Sequence, residues 1–305
     1  MKHFFQKVIT YGFYPFLLFG QLTIFTLAVN FEWDLKKIFA VMVPTQLILL
    51  LLTEFIFPIK KEWKMTWKSF LRDIKYTIVA AITSRGTRFL IGYLAIYLSE
   101  KNVGVLKQLP FYISVICVLL VWEFMQYWFH RLSHTAGGNI GEFLWRLHSI
   151  HHLPDKVYLL MHPVFHPLNS LITTVMLQLI LILAGVDSKT LYLLNIFMSL
   201  QGSISHFNVN IRAGFLNYIF IGTELHRFHH SADINEGKNY GAILSIWDLV
   251  FGTFYYQPGT SPERLGVANP EEYPQSNQIF KTLLFPFRPK KEQPLEGIIP
   301  QRSSL

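Results

Sequence analysis

The sequence predicts an all-α integral membrane protein: a helical bundle of about four long spanning helices, a short helical hairpin and a cytoplasmic histidine-rich helical cap. Of the 305 residues, 51% are hydrophobic and only 15% are charged, against roughly a quarter charged in an ordinary soluble domain. Several apolar runs approach the roughly 20 residues that one bilayer crossing needs. Eleven of the twelve histidines lie between His130 and His230, which marks that region as chemically distinct.

Four apolar runs predict long spanning helices. They cover residues 11–29, 38–57, 74–98 and 111–129. The third is the weakest, because Arg85 and Arg88 lie near its middle. The first run is too long for the apolar part of a cleavable signal peptide, and no small-residue cleavage site follows it, so we expect it to stay as a membrane helix.

Two shorter apolar runs, residues 168–184 and 191–204, are separated by a polar turn at Gly185–Ser188 and predict the hairpin. Three regions follow from this order: N-terminal membrane helices at 1–110, a histidine-bearing region with the hairpin at 111–257, and a proline-rich tail at 258–305. The tail, with Arg288, Lys290 and Lys291, is expected to be solvated.

The basic residues predict the orientation. If all six apolar runs cross, the loops that carry the histidines share one side with most of the loop lysines and arginines, and the positive-inside rule makes that side cytoplasmic. If residues 74–98 do not cross, the orientation reverses. A multi-pass protein of the bacterial inner membrane is the favoured location, with the endoplasmic reticulum as the alternative.

Composition also excludes several functional classes. Cys117 is the only cysteine, which excludes an intrachain disulfide, a thiolate zinc site and an iron–sulfur cluster. The net charge of +8 could suit nucleic acid or an anionic membrane face. Because the chain is so apolar, we expect the membrane and no nucleic-acid partner.

Three histidine sets have the spacing of metal ligands. The first, His130 and His134, forms H-x-x-x-H. The other two are H-x-x-H-H sets that begin at His148 and His226. Residues at i, i+3 and i+4 share one face of a helix, so each set offers imidazoles that point the same way. Imidazole binds iron, zinc, copper or nickel, and eight rings exceed the ligands of one ion, so two ions are expected.

The order of these sets, with His166-Pro167 and a lone His206 between them, resembles the fatty acid hydroxylase / sterol desaturase superfamily. The segments Asn239-Tyr240-Gly241, Leu244–Asp248 and Phe251-Gly252-Thr253 resemble its C-terminal pattern. The resemblance covers roughly residues 110–290. It implies integral membrane enzymes that use a histidine-bound dimetal centre, normally diiron, and O2 to hydroxylate, desaturate or cleave lipids.

The resemblance also implies a ligand set and partners. The implied ligands are His130, His134, His148, His151, His152, His166, His206, His226, His229 and His230, and His162 is left as either a ligand or a hydrogen-bonding partner. His3 is expected to be unrelated. The implied cofactors are two iron ions, or zinc in isolated protein, with O2 as co-substrate. A cytochrome, ferredoxin or reductase would supply electrons, since the chain has no nucleotide-binding glycine motif of its own.

Three carboxylates could accept hydrogen bonds from the metal-binding rings. Metal-bound histidine usually donates its second N–H to a carboxylate or a carbonyl. Glu123 lies two turns before His130 on the same helix face, and Asp233 and Asp248 follow the last histidine set. We expect these three residues to accept such hydrogen bonds.

The predicted function is an O2-dependent lipid hydroxylase, acting on a fatty acyl, sterol or alkylglycerol-like lipid. A desaturase with the same centre is the nearest alternative. A metal transporter is less favoured because the ligands lie at one membrane face rather than along a midplane pathway. A zinc hydrolase is less favoured because H-E-x-x-H is absent from the sequence. The specific lipid, the carbon attacked and the oligomeric state do not follow from the sequence.

Overall fold

The protein is a bundle of membrane-length helices with a polar cap at one end. The structure, a computed structural model, describes residues 2–100 and 104–288. Residues 289–305, with Lys290 and Lys291, lie outside this description. The helices are α1 Lys2–Asn30, α2 Leu35–Ile56, α3 Trp67–Glu100, α4 Phe111–Thr135, α5 Gly138–His152, α6 Pro167–Ala184, α7 Ser188–Ser205, α8 Thr223–His229, α9 Ile246–Val250 and α10 Ile279–Leu284. Within the described residues there are isolated β-bridges and no strand, so the all-α prediction is confirmed.

Among the described residues, four helices are long and apolar enough to cross a bilayer, as predicted, but their identity differs in one place. They are α1 (from Phe4), α2, α4 and α6. The run at 74–98 forms part of the 34-residue α3, which is not one of the four. Arg85 and Arg88, together with the charged residues of its first turns, make α3 less apolar than the others. Instead α6, the first arm of the predicted hairpin, is long and apolar enough to span.

Local signals in the sequence set the ends of the hairpin helices. His166 caps α6 by accepting the backbone N–H of Leu168, and Pro167 occupies the first helical position, where a missing N–H costs nothing. Gly185 ends α6 in the left-handed conformation, with φ 63°, which glycine adopts without steric penalty. Asp187 then caps α7 by accepting the backbone N–H of Thr190.

The core has two parts. The larger apolar cluster joins α1, α2, α4 and α7 inside the bundle, and a smaller one around Trp63, Tyr76 and Ile150 lies in the cap. Glu54, buried near the end of α2, accepts hydrogen bonds from the backbone N–H groups of Leu159 and Asn208. This carboxylate therefore ties the bundle to the cap at the end where the histidines gather.

Candidate metal centre

Four helix ends bring nine histidines together. The C-terminal turns of α4 and α5 supply the first two sets, α8 with its C-cap supplies the third, and His206 is the C-cap of α7. Because side chains on a helix repeat at i, i+3 and i+4, a short stretch at each helix end is enough to direct several rings into one region.

The nine rings form two groups. The five-histidine group contains His130, His134, His148, His152 and His229, and the four-histidine group contains His151, His206, His226 and His230. Within each group the candidate ligand atoms all lie within 4.8 Å of one another. The two groups are neighbours, since the ring centroids of His152 and His230 are 4.5 Å apart.

Each H-x-x-H-H set contributes to both groups. His148 and His152, four residues apart, enter the five-histidine group, while His151 enters the other. The set at α8 does the reverse, with His226 and His230 in the four-histidine group and His229 in the five-histidine group. Although the rings of one set lie on the same helix face, as expected from their spacing, each set links the two adjacent groups.

The contacts within the groups are those of ligands around a cation. In the four-histidine group, the Nε2 atoms of His206, His226 and His230 lie 3.0, 3.1 and 3.3 Å apart as a triangle. A neutral imidazole carries one N–H, and three nitrogens that converge on one point cannot all donate to each other. Ligands about 2.1 Å from one ion would be separated by about 3.0 to 3.4 Å, which matches these distances.

The five-histidine group shows the same convergence. The Nε2 atom of His148 lies 2.9 Å from that of His130 and 3.1 Å from that of His152. The Nε2 atoms of His134 and His229 are buried without a hydrogen-bond partner. Buried polar atoms are nearly always paired in native proteins, so these two nitrogens indicate a missing electropositive partner.

The electrostatics favour the neutral, ligating form of the rings. Burial lowers the pKa of His151, His152 and His229 well below the ordinary value, and it lowers the pKa of His230 to about 3. Desolvation is the largest cause, and neighbouring histidines add to it. Metal binding requires neutral imidazole, so the buried environment prepares the rings for a metal at neutral pH.

Backbone carbonyls, rather than carboxylates, orient the rings. The Nδ1 atoms of His130, His151 and His229 lie 2.7, 3.2 and 3.0 Å from carbonyl oxygens. The carbonyls belong to Tyr240, Val164 and Lys238. Fixing Nδ1 in this way directs Nε2 into the group.

The three predicted carboxylates have other partners than those expected. Glu123 accepts the backbone N–H groups of Ala242 and Ile243. Asp248 accepts those of Tyr240 and Gly241 and the hydroxyl of Thr253. Both carboxylates therefore fix the segment whose Tyr240 carbonyl orients His130. They act on the rings through the backbone and do not accept the hydrogen bond from a ring that the sequence predicted. The exposed Asp233 accepts hydrogen bonds from the backbone and side chain of Asn235.

Two predicted histidines lie outside both groups. The Nδ1 atom of His166 accepts the Leu168 N–H, so this residue acts as a helix cap. Its Nε2 atom lies 3.1 Å from the Leu283 carbonyl oxygen. His162 packs beside the four-histidine group, with its Nδ1 3.3 Å from that of His206 and its Nε2 against Gly202. His162 is thus placed as a hydrogen-bonding partner, which was one of its two predicted roles.

A cavity of about 500 Å³ reaches both groups from the bundle. Its inner end includes His130, His148 and His206, and its outer end includes Phe39 of α2 and Leu177 of α6. The sequence argument missed two polar lining residues, Gln126 and Asn169, and Trp122 also lines the cavity. One signal was present, since Gln126 lies one helical turn before His130.

Comparison with known proteins gives matches in one family. Residues 115–253 match the family model described as fatty acid hydroxylase. The chain is 30% identical over 225 residues to ornithine lipid hydroxylase OlsE of Rhizobium tropici. The matched region covers 71% of this chain and 66% of the relative. It is 26% identical to alkylglycerol monooxygenase of Caenorhabditis elegans, over 55% of this chain and 33% of that protein. The chain thus spans just under two thirds of the first relative and about a third of the second. No solved structure matches significantly.

Proposed function

This chain belongs to the fatty acid hydroxylase family, and from that premise we propose that it is a membrane-bound, O2-dependent lipid hydroxylase. The reaction would replace a C–H bond of the lipid by C–OH, while the second oxygen atom leaves as water with two electrons and two protons from an external donor. Because an unactivated C–H bond is beyond acid–base side-chain chemistry, two iron ions would supply the oxidising chemistry when bound.

One observation carries the proposal: two adjacent groups of converging histidine Nε2 atoms line the inner end of a cavity that lies among membrane helices. We propose the nine histidines of these groups as the ligands and leave out His166, whose two ring nitrogens are already engaged. Imidazole sites also accept zinc, but a redox metal is required for O2 chemistry.

The residues of the chain hold and shield the site. The nine rings are buried or nearly so, and none of the described residues that line the cavity is an aspartate or a glutamate. The apolar outer wall would admit a lipid chain, and the volume of about 500 Å³ would limit the positions that a substrate can take. Positioning of this kind is a major source of rate enhancement.

We propose that the histidine end faces the cytoplasm of a bacterial cell. This orientation requires α3 to cross despite Arg85 and Arg88, and α3 packs along α6 through the hydrogen bond between Ser84 and Thr174. The segment between α2 and α3 carries Lys60, Lys61 and Lys64, and Lys68 follows in the first turn of α3. The segment packs on the histidine end, where the Lys60 N–H donates to the side chain of Asn208. Such a concentration of lysine favours the cytoplasmic side. It would also attract an acidic cytochrome, ferredoxin or reductase that delivers the electrons.

The experiment is a turnover assay with purified, iron-loaded protein in nanodiscs. Candidate lipids are offered with ¹⁸O2 and a chemical reductant, beginning with an ornithine lipid and an alkylglycerol, which the names of the relatives suggest. Mass spectrometry should show a product that gains one ¹⁸O atom, absent from a His151→Ala variant and retained in His3→Ala. A product that loses two hydrogens without gaining oxygen would indicate the desaturase instead. A product formed without O2 would refute oxygenation.

A further inference from the structure

The inner half of the cavity contains polar side-chain atoms that are buried and unpaired. Trp122 Nε1, Gln126 Oε1 and Asn169 Oδ1 are each inaccessible and have no hydrogen-bond partner among the described residues. All three residues line the cavity. Leaving a buried donor or acceptor unpaired is destabilising, so three in one cavity need an explanation.

The three groups are held close to the metal centre by rigid elements. Trp122, Gln126 and His130 follow one another at four-residue intervals along one face of α4, which places Gln126 one turn, about 6 Å, from His130. Asn169 lies in the first turn of α6, whose start is fixed by the His166 cap. Its side chain lies within hydrogen-bonding reach of His148, while its Oδ1 atom makes no hydrogen bond of normal geometry.

The polar residues of the outer half differ, because their hydrogen bonds are made within the protein. Ser84 and Thr174 bond to each other at 3.2 Å, and the Asn195 amide donates to the Leu191 carbonyl. The exposed Arg88 lies on α3 at the same level as these groups. Thr173 and Ser199 also line the cavity near this level, and the other lining residues of this half are apolar.

The apolar part of the wall is formed by Phe39, Val43, Leu177 and Met198. Met198 lies eight residues before His206 on α7, which is about 12 Å along the helix. The cavity is therefore polar and unsatisfied near the metals and apolar further out. An amphiphile complements both parts only with its polar end inward.

We propose that Trp122, Gln126 and Asn169 bind the polar end of the lipid substrate, a hydroxyl- or amide-bearing headgroup that offers both hydrogen-bond donors and an acceptor. The Trp122 N–H would donate to an oxygen of the headgroup, and the two amide oxygens would accept O–H or N–H groups. The hydrocarbon chain then runs outward along Leu177 and Met198. On the proposed hydroxylase function, the oxidised carbon lies within a few bonds of the headgroup and not in the middle of the chain.

A site of this type discriminates strongly. A pocket built to bond an O–H or N–H rejects an analogue that lacks the group, because the analogue leaves the buried acceptors unpaired. At the usual cost of an unpaired buried group, each lost hydrogen bond should weaken binding on the order of 10-fold to 100-fold.

The test is a binding comparison that needs no turnover. Metal-loaded wild-type protein in detergent is titrated with 1-O-hexadecylglycerol and with its di-O-methyl ether, which keeps the chain and oxygens but lacks both O–H donors. Native mass spectrometry should show at least about 10-fold weaker binding of the ether. In Gln126→Met and Asn169→Leu this preference should shrink several-fold, while Asn195→Leu, which removes an amide from the outer half, should keep it.

Equal binding of the two lipids by the wild-type protein would overturn the proposal, and so would a preference that survives in both inner variants. The position of the oxygen atom is a second test, since product fragmentation that places it in the middle of the chain would also contradict the inference. A retained preference in a protein that never reacts with O2 would refute the hydroxylase function alone. Turnover without any headgroup preference would refute the headgroup site alone.

Discussion

The carboxylate of Asp248 should control the metal affinity of the five-histidine group without touching it. Its oxygens accept the Tyr240 N–H at 2.8 Å, the Gly241 N–H at 2.7 Å and the Thr253 hydroxyl at 2.6 Å. The carbonyl of Tyr240 in turn lies 2.7 Å from the Nδ1 atom of His130. The Asp248→Asn substitution keeps the shape of the side chain and replaces one acceptor oxygen by a donor NH2 group.

The contacts set the size of the effect. The best orientation of the new amide keeps its oxygen on Tyr240 and Thr253 and turns its NH2 group toward the Gly241 N–H, so one buried donor loses its partner. That loss costs about 1–3 kcal/mol, which lowers the melting temperature by a few degrees. The loosened Tyr240 carbonyl no longer fixes His130. Loss of such an outer hydrogen bond typically costs 10–100-fold in metal affinity.

The assay is competition for the bound metal by a chelator of known affinity, together with a thermal melt in detergent. Asp233→Asn is the matched control, because Asp233 is exposed and bonds only within its own turn. The expected result is weaker metal retention in Asp248→Asn and wild-type metal retention in the control. A variant that melts lower but holds metal as tightly as the wild type would refute the link through Tyr240.

Three further outcomes are expected. His229→Ala should remove metal mainly from the five-histidine group, so that elemental analysis finds about half of the wild-type content; unchanged content would contradict the ligand assignment. In Gly202→Ala the new Cβ would lie 2.8 Å from the Nε2 atom of His162, so the ring must shift and disturb its contact with His206, and metal should be lost faster to a chelator. Gly86→Ala, whose Cβ meets nothing within 4 Å, should behave as the wild type. In metal-free protein the buried histidines have pKa values below their unfolded value of about 6.5, so the unfolded state binds more protons. Stability should therefore be complete above about pH 6.5 and fall as the pH drops toward 3, the pKa of His230, by up to about 1.4 kcal/mol per pH unit for each such histidine. A melting temperature that does not change between neutral and mildly acidic pH would contradict this.

Much of the helical framework could be predicted, because its determinants are local. Length and apolarity identified the helix-forming runs, and the turn at Gly185–Ser188 identified the hairpin. The identity of the fourth span was missed, since the charges of α3 had to be weighed against the shorter but more apolar α6. The spacing of the histidines also predicted their helix faces.

The division of those histidines between two groups could not be predicted. Whether His151 joins the group of His148 or that of His206 depends on how α5, α7 and α8 approach one another. The spacing of residues within a single helix does not determine that approach. The role of His166 was available locally, because a residue before a proline at the first helical position is often a cap. The partners of Glu123 lie about 120 residues away, and only the fold brings them together.

The central proposal is tested most directly by the metal content and identity of protein purified from iron-supplemented cells. Elemental analysis and Mössbauer spectroscopy should find about two iron ions per chain, in a spectrum that changes when the reduced protein meets O2. Well-folded protein that holds no metal, or holds metal that does not respond to O2, would contradict the proposal.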